Sequence, residues 1–490
     1  MITAERLFAG QSLQRTAGAC PAAFTGIARD SRHVAAGAAY VAIGNPADQP
    51  VHAAEAVAAG AAALISELPL AASIPLLGTP HARWAFARAS AALHGLDRLA
   101  MPVLGVTGTA GKSTTTHCAW WALGGPTLGA ARIGTIGWHD GANERANPQT
   151  TPPPEELHAF LAGLPSACPA VAMEVSSHAG DQHRLAGLRL AGLAYTGLGH
   201  DHLDYHRTVG AYLAAKLRVA RLLRPGALCV VNADDPHAHV MAHAATAAGA
   251  RVIGLGHLRG EVRLSRRSDG WRLRLDGREL GVPMRLPGDF NAWNAAAGAL
   301  LASAAGVALD VALDRLATLP AVPGRLELLA HGPDTYVDYA HTPEELSVML
   351  RAVRREFPGR RLVCVFGCGG DRDRTKRGPM GCAALEADVA VLTTDNSRSE
   401  SPLAIANDVL TGLPAGTPVF DNAAPRTVHR ARSLVVELDR AQAIILARDL
   451  AGTDGIVVVA GKGHETNQLI QGRVLPWDDR AFVADLGRRP

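Results

Sequence analysis

The stretch that most limits how this chain can fold is "MPVLGVTGTAGKSTTTH", Met101 to His117. An apolar run ends in small and glycine positions, followed by a lysine and a row of hydroxyls. That order dictates a strand, a tight glycine loop and a helix, and commits the surrounding chain to α/β layers. Gly108 and Gly111 let the backbone turn its N–H groups towards phosphate oxygens. Lys112 adds a point charge at the β- and γ-phosphates, and Ser113 offers a hydroxyl to Mg²⁺. The strict phosphate-loop pattern has glycine where Val106 stands, with Gly105 one residue earlier. A glycine-rich turn without phosphate is the plainer reading. Strand, glycines, Lys-Ser pair and following helix together favour a nucleotide.

A chain of 490 residues exceeds one hydrophobic core, so two to four domains are expected. Its formal net charge is only +3 with both signs interspersed, which gives no electrostatic case for nucleic acid. No apolar run approaches the ~20 residues that cross a bilayer, and "MITAERLFAG" lacks the apolar core of a secretion signal. Seven scattered cysteines fit neither a disulfide framework nor zinc-ribbon spacing. The expectation is a cytoplasmic monomer with no nucleic-acid or membrane partner.

Residues 1–100 hold short strand-like pieces ("AAYVAIG", "AAALIS") among Ala-rich helical segments. Residues 101–323 alternate strand runs ("AVAMEVS", "LAYTGLG", "GALCVVNAD") with helices such as "VGAYLAAKLRVARLL", predicting βαβ units and a mainly parallel sheet. "EVRLSRRSDGWRLRLDGRELGVPMRL" alternates with period two around Asp-Gly turns, so an antiparallel insertion is predicted there. Residues 324–490 repeat the α/β rhythm in "TYVDYA", "RLVCVFG", "VAVLTT" and "GIVVVAG". Ligands of such sheets gather beyond the carboxyl ends of the strands.

Several loops at those ends carry chemistry. In "MEVSSHAGDQHRL", Glu174 ends a strand where a carboxylate could hold Mg²⁺, or serve structure alone. "LGHDHLDYHRTVGAYLAAKLRV" packs His200, Asp201, His202, Asp204 and His206 before a helix whose lone lysine, Lys216, is either snorkelling or chemically special. "FGCGGDRDRTKRG" is either a solvated charge run or a site for carboxylate or phosphate. In "TTDNSRSESP" and "AGKGHETNQ", Asn396 and Arg398 could grip a carboxylate while Glu465 receives an ammonium group. Three such loops in one domain point to a zwitterionic substrate. "VDYAHTPEEL", with Asp338 and His341, supplies another pocket wall.

Taken in order, "DSR", "GVTGTAGKST", "TTP", "MEVSSH", "DHLDYH", "AAK", "FNAWNA", "PGRLE", "VDYAHTP", "GCGGDRD", "DNSR" and "GKGHE" resemble the Mur ligases of peptidoglycan synthesis over nearly the whole chain. The resemblance implies an α/β protein of three domains: an N-terminal UDP-sugar domain (1–100), a central P-loop parallel-sheet ATPase domain (101–323) and a C-terminal Rossmann-like domain (324–490). It implies an ATP-dependent, Mg²⁺-dependent ligase. A carboxylate takes the γ-phosphoryl group, and an amine then attacks the acyl phosphate. Gly108, Thr109, Gly111, Lys112, Ser113 and Thr114 would hold phosphates; Asn291, Asn294, Arg325, Asp338 and His341 would contact the nucleotide. Ser113, Glu174, His202 and a carbamylated Lys216 would serve the metal, with Lys112, Lys216, Glu174 and His202 as the catalytic set. Ser31, Thr150, Thr151, Ser177 and Arg184 would bind the UDP-N-acetylmuramoyl dipeptide. Arg372, Asn396, Arg398, Gly461 and Glu465 would bind the distal end of meso-diaminopimelate.

Some positions depart from the family pattern. Ala110 and Gly197 each stand where it has asparagine, and Ser397 replaces a proline, which is expected to loosen the loop presenting Arg398. The first domain lacks the usual Asp-Gly-His segment. These departures leave open a relative acting on a different carboxylate, and a non-catalytic nucleotide-binding regulator remains a lesser alternative.

Overall fold

The computed structural model describes residues 1–146, 149–284, 286–421 and 432–488. Three main sheets follow one another along the chain. The first has five strands in the order Gln14–Ala17, Leu76–Gly78, Ala63–Ser66, Ala39–Val41, Ile27–Ala28, with helices such as Ala82–Leu93 against it. Only the runs at 39–41 and 63–66 were anticipated. Of the others, Gln14–Ala17 is exposed throughout, Ile27–Ala28 is two residues long and Leu76–Gly78 follows directly on a proline.

The second sheet has eleven strands. Its middle, from Ala131–Gly134 through Val171–Glu174, Val103–Thr107, Leu190–Tyr195 and Leu223–Asn232 to Arg251–Gly256, is wholly parallel. These strands are rich in Val, Leu and Ala because helices cover both faces, and two apolar cores lie on either side. Both edges are antiparallel. Val262–Arg267, Gly270–Leu275 and Arg278–Val282 form the expected insertion, turning tightly at Asp276-Gly277, where both φ angles are positive. Arg285, in the same stretch, lies outside the described residues. The opposite edge, Gly137–His139 with Glu144–Arg145, is an unanticipated hairpin.

The third sheet runs Glu327–Ala330, Asp334–Val337, Ile456–Val459, Leu362–Phe366, Val389–Leu392, Ser433–Val436, Val419–Asp421, parallel except for its first pair. Val103–Thr107 lies between Val171–Glu174 and Leu190–Tyr195, so the crossovers leave it in opposite directions. A crevice therefore opens at its carboxyl end, where the glycine loop begins. No helix among the described residues is long and apolar enough to cross a membrane.

Candidate active site

The glycine loop leads straight into the helix Lys112–Ala122. Gly108 and Gly111 have φ of 149° and 82°, and a Cβ on Gly111 would come within 2.7 Å of Asn294 Oδ1. Asn294 thus supports the loop from the neighbouring helix Asp289–Ser303. Its Oδ1 accepts the Thr115 hydroxyl at 3.1 Å, and its amide donates to Asn291 Oδ1 at 3.2 Å. Asn291 in turn donates to the Pro287 carbonyl at 2.7 Å, so both buried amides brace the backbone beside the loop.

The loop, Glu174, Thr135, Thr150, Ser177, His202, Lys216, Arg325 and His341 line one cavity of about 150 Å³. Ser113 Oγ donates to Glu174 Oε2 at 3.0 Å, and Arg325 Nη2 donates to Ser113 Oγ at 2.9 Å. Glu174 also accepts the Thr135 N–H at 2.8 Å and the Thr135 hydroxyl at 3.1 Å. Thr151 braces the same strand end, donating to the Glu174 carbonyl at 2.8 Å. Lys112 folds over its loop, donating to the carbonyls of Thr109 at 2.6 Å and Gly108 at 3.2 Å. Thr114 is buried in the cavity wall.

Lys216 is 1% exposed, 2.6 Å from the Gly108 carbonyl and 4.2 Å above the Tyr212 ring. Burial, with Lys112 nearby, pushes its pKa well below the ordinary lysine range. A neutral buried amine is the form that can react with CO₂. His202 is held down at about 4 by burial against the pull of Asp201, so its imidazole is neutral at pH 7. Among the described residues no three His, Cys, Asp or Glu side chains form a metal site by themselves. The donors fit Mg²⁺ nonetheless: a hydroxyl and a carboxylate already meet beside an anion-binding loop, and a carbamate at Lys216 would add a second anion.

A second cavity, about 570 Å³, is lined by Arg372, Asn396, Arg398, Gly461 and Glu465, with Asp201, His202, Tyr339 and His341 shared with the first. Asn396 donates to Glu465 Oε2 at 2.9 Å, and the buried Lys462 donates to the same oxygen at 2.9 Å. Arg372 reaches across to Asp204, 4.0 Å away, and Arg398 Nη1 donates to the Gly370 carbonyl at 2.6 Å. The loop carrying Arg398 is held rather than slack. Ser397 is fully buried, Arg398 N–H donates to Leu469 O at 3.0 Å, and Glu400 is gripped by Arg377 at 2.8 Å. Asp338 accepts the N–H groups of Leu326 at 2.7 Å and Ala340 at 2.8 Å, and burial raises its pKa.

The residues expected at the dipeptide end are less gathered. Arg184, with Gln149 and Gln182, lines a pocket of about 110 Å³ against the first sheet, while Ser31 donates to Glu55 at 2.6 Å. Ser177 Oγ sits 2.9 Å from His206 Nε2. Arg29 and Arg83 line the pocket with Arg184 and were not anticipated, nor were Thr135, Tyr212 and Lys462. Tyr212 could have been found, since four residues before Lys216 is the same helix face. Ala110 and Gly197 both lie at the glycine loop, where the Gly197 carbonyl accepts the Thr109 N–H at 2.9 Å. The Thr196 hydroxyl donates to Ala110 O at 2.5 Å, and the Asp235 carboxylate lies 3.0 Å from where a Gly197 Cβ would be.

With this geometry in view, residues 106–302 match the Mur ligase middle domain and residues 324–463 the Mur ligase glutamate ligase domain. The UDP-N-acetylmuramoyl-L-alanyl-D-glutamate–2,6-diaminopimelate ligase of Brucella melitensis biotype 1 is 39% identical over 478 residues, 94% of this chain and 93% of that one. The ligase of the same name from Syntrophomonas wolfei is 36% identical over 477 residues, 95% and 94% of the two chains. A solved structure of a ligase so named superposes with a TM-score of 0.69 at 29% identity over all of both chains. The MurF ligase of Thermotoga maritima in complex with ADP shares the fold, with a TM-score of 0.57 at 18% identity over 89% of this chain and 93% of that one.

Proposed function

We propose, on the premise that this chain belongs to the Mur ligase family, that it adds meso-diaminopimelate to UDP-N-acetylmuramoyl-L-alanyl-D-glutamate. It is an ATP-dependent acid–amino-acid ligase of peptidoglycan synthesis, working through an acyl phosphate. The observation that carries this reading is the wall shared by two cavities. One is built around a phosphate loop, the other around the Asn396, Arg398 and Glu465 set suited to a zwitterion.

The chain's contribution is positioning and charge, since phosphoryl transfer needs no protein nucleophile. Gly108 to Thr114 cradle the phosphates, and Arg325 brings a guanidinium from the third unit to Ser113. Mg²⁺, when bound, neutralises charge developing on the transferred phosphoryl group. Ser113, Glu174, His202 and the carbamate form of Lys216 would hold it. Asn291 and Asn294 keep the loop in shape beside the nucleotide, His341 stands in the far wall, and Asp338 braces the backbone behind it for nucleotide contact. Ser31, Thr150, Thr151, Ser177 and Arg184 serve the UDP-linked dipeptide. Arg372, Asn396 and Arg398 take the distal carboxylate of diaminopimelate, while Glu465 and the backbone at Gly461 take its ammonium. The working units are 1–100 for the UDP-sugar, 101–323 for ATP and 324–490 for the amino acid.

The deciding experiment is phosphate release from ATP and Mg²⁺ with the UDP-linked dipeptide, comparing meso-diaminopimelate, L-lysine and no amino acid. Release with diaminopimelate alone is expected. Equal release with lysine would remove the distal-carboxylate assignment. Absence of release with either, from protein that binds ATP, would move the acceptor to another carboxylate.

A further inference from the structure

Of the residues on the shared wall, His341 presents one ring nitrogen, Nε2, that no described residue engages. Its Nδ1 lies 3.0 Å from the Tyr339 carbonyl oxygen and 3.4 Å from Glu345 Oε2. Both neighbours accept hydrogen bonds, so Nδ1 carries the hydrogen and Nε2 the lone pair. Among the described residues Nε2 has no hydrogen-bond partner. His341 lines both the phosphate cavity and the amino-acid cavity, which is where an amine must meet an acyl phosphate.

Glu345 has a plainer job as well. Thr342 Oγ1 accepts the Glu345 N–H at 3.3 Å and Glu345 Oε2 accepts the His341 N–H at 3.3 Å, a reciprocal cap on the helix Pro343–Glu356. Glutamine would cap as well as glutamate. Capping alone does not use the negative charge that the same oxygen brings to the imidazole.

We propose that His341, oriented by Glu345, is the base that takes a proton from the incoming ammonium group; this rests on the ligase reading above. The ammonium gives one proton to Nε2 and becomes an amine. Its lone pair forms the C–N bond, the C–O bond to phosphate breaks, and the second proton leaves with the phosphate as hydrogen phosphate. Three acids face the imidazolium so formed. Glu345 adjoins it on its own helix, and Asp201 and Asp395 approach from the loops after Leu190–Tyr195 and Val389–Leu392. Cations line the same cavities: Lys376 donates to the His341 carbonyl at 3.3 Å, Arg325 lies 4.4 Å over the Tyr339 ring, and Lys112, Lys216, Arg372 and Arg398 stand in the walls. His341 is the catalytic group and Glu345 a positioning residue.

The test is Glu345→Gln, which keeps the cap and removes the charge. Two products are followed from ATP and the UDP-linked dipeptide: the amide with diaminopimelate, and the hydroxamate with hydroxylamine, whose nitrogen is uncharged at neutral pH and needs no base. At pH 7 amide formation is expected to fall about 10-fold while hydroxamate formation stays within about two-fold. The amide deficit should narrow at pH 9, where more free amine is present. Glu345→Asp, which keeps the charge at a greater distance, should lie between. An equal fall in both products, or an unchanged amide rate, would overturn the proposal. Unmodified protein yielding neither product would fail the ligase reading instead.

Discussion

At the scale of single residues, the carbamate proposed at Lys216 rests on burial. A lysine 1% exposed, beside Lys112, is held in its neutral form, and a neutral amine adds CO₂ to become a carboxylate-like anion. Lys216→Ala is therefore expected to abolish turnover, with part of the rate restored by a small added carboxylic acid that fits the vacated space. Full activity in the unsupplemented variant would count against the carbamate. For Arg398 what matters is charge and geometry at the rim of the larger cavity. Arg398→Ala should raise KM for diaminopimelate about 10-fold or more, because a charge-assisted contact contributes roughly 1.5–3 kcal/mol. KM for ATP should hardly move, and an unchanged KM for diaminopimelate would place the distal carboxylate elsewhere. Lys112, Ser113, Lys216 and Arg398 were legible in the sequence because each stands out from its immediate neighbours. Thr135 and Lys462 were not. Thr135 reaches Glu174 only because Ala131–Gly134 pairs with Val171–Glu174, and Lys462 gains meaning only once Asn396 and Glu465 meet across the sheet.

At the scale of elements, the long apolar strands and the Lys216 helix could be read from period and composition, since one face or both had to be buried. The strands at Arg251–Gly256 and Ser433–Val436 could not. The first opens on Arg251 and carries two glycines, and the second is a short Leu-Val-Val run between Arg432-Ser433 and Glu437. The expected slackness at Ser397 also failed for a reason of context: the tether is the ion pair between Arg377 and Glu400, supported by Ser399 Oγ donating to Asp371 at 2.7 Å. The Arg377 guanidinium beside it holds the Glu400 carboxyl at about 2, against an ordinary 4.5. A depressed carboxylate contributes stability that is complete above the unfolded value and is lost as pH falls towards the folded one. The Arg398 loop should thus loosen between about pH 4.5 and 2, and Glu400→Gln should flatten that part of the stability–pH curve. Hydrogen exchange across residues 395–400 reads this directly, and an identical acid limb in the variant would place the tether elsewhere. A second element-level prediction concerns the contact beneath Lys216. A Cβ on Gly180 would lie 2.2 Å from the Ala215 carbonyl, so the helices Ser177–Asp181 and Val209–Ala220 touch backbone to backbone. Gly180→Ala should push them apart, costing about 1–3 kcal/mol as an overpacked contact and lowering kcat more than KM for ATP. A melting temperature and kcat equal to those of the unmodified protein would show that the helices can part freely.

At the scale of the whole molecule, the site exists only where the units meet. Arg325 leaves the start of the third unit to hydrogen-bond Ser113 on the phosphate loop, and Arg372 faces Asp204 across the larger cavity. Arg29 pairs with Glu155 between the first sheet and the helix Pro154–Gly163, with Nε 2.8 Å from Oε1. Ion pairs this exposed contribute little singly, so the nucleotide, bridging two units at once, should be the stronger tie. A ligand at 100 times its Kd stabilises what it binds by about 2.7 kcal/mol. If it touches both the glycine loop and Arg325, that free energy is shared, and the central and C-terminal units should melt together in calorimetry with saturating ATP analogue. In Arg325→Ala the bridge is missing. Nucleotide should then raise only the transition of the central unit and leave the C-terminal one near its unliganded temperature. Two transitions that already move independently in the unmodified protein would mean that the nucleotide binds to the central unit alone, and that Arg325 meets Ser113 without carrying the coupling. A joint shift lost on removing one guanidinium would locate the coupling between phosphate loop and amino-acid unit in a single side chain.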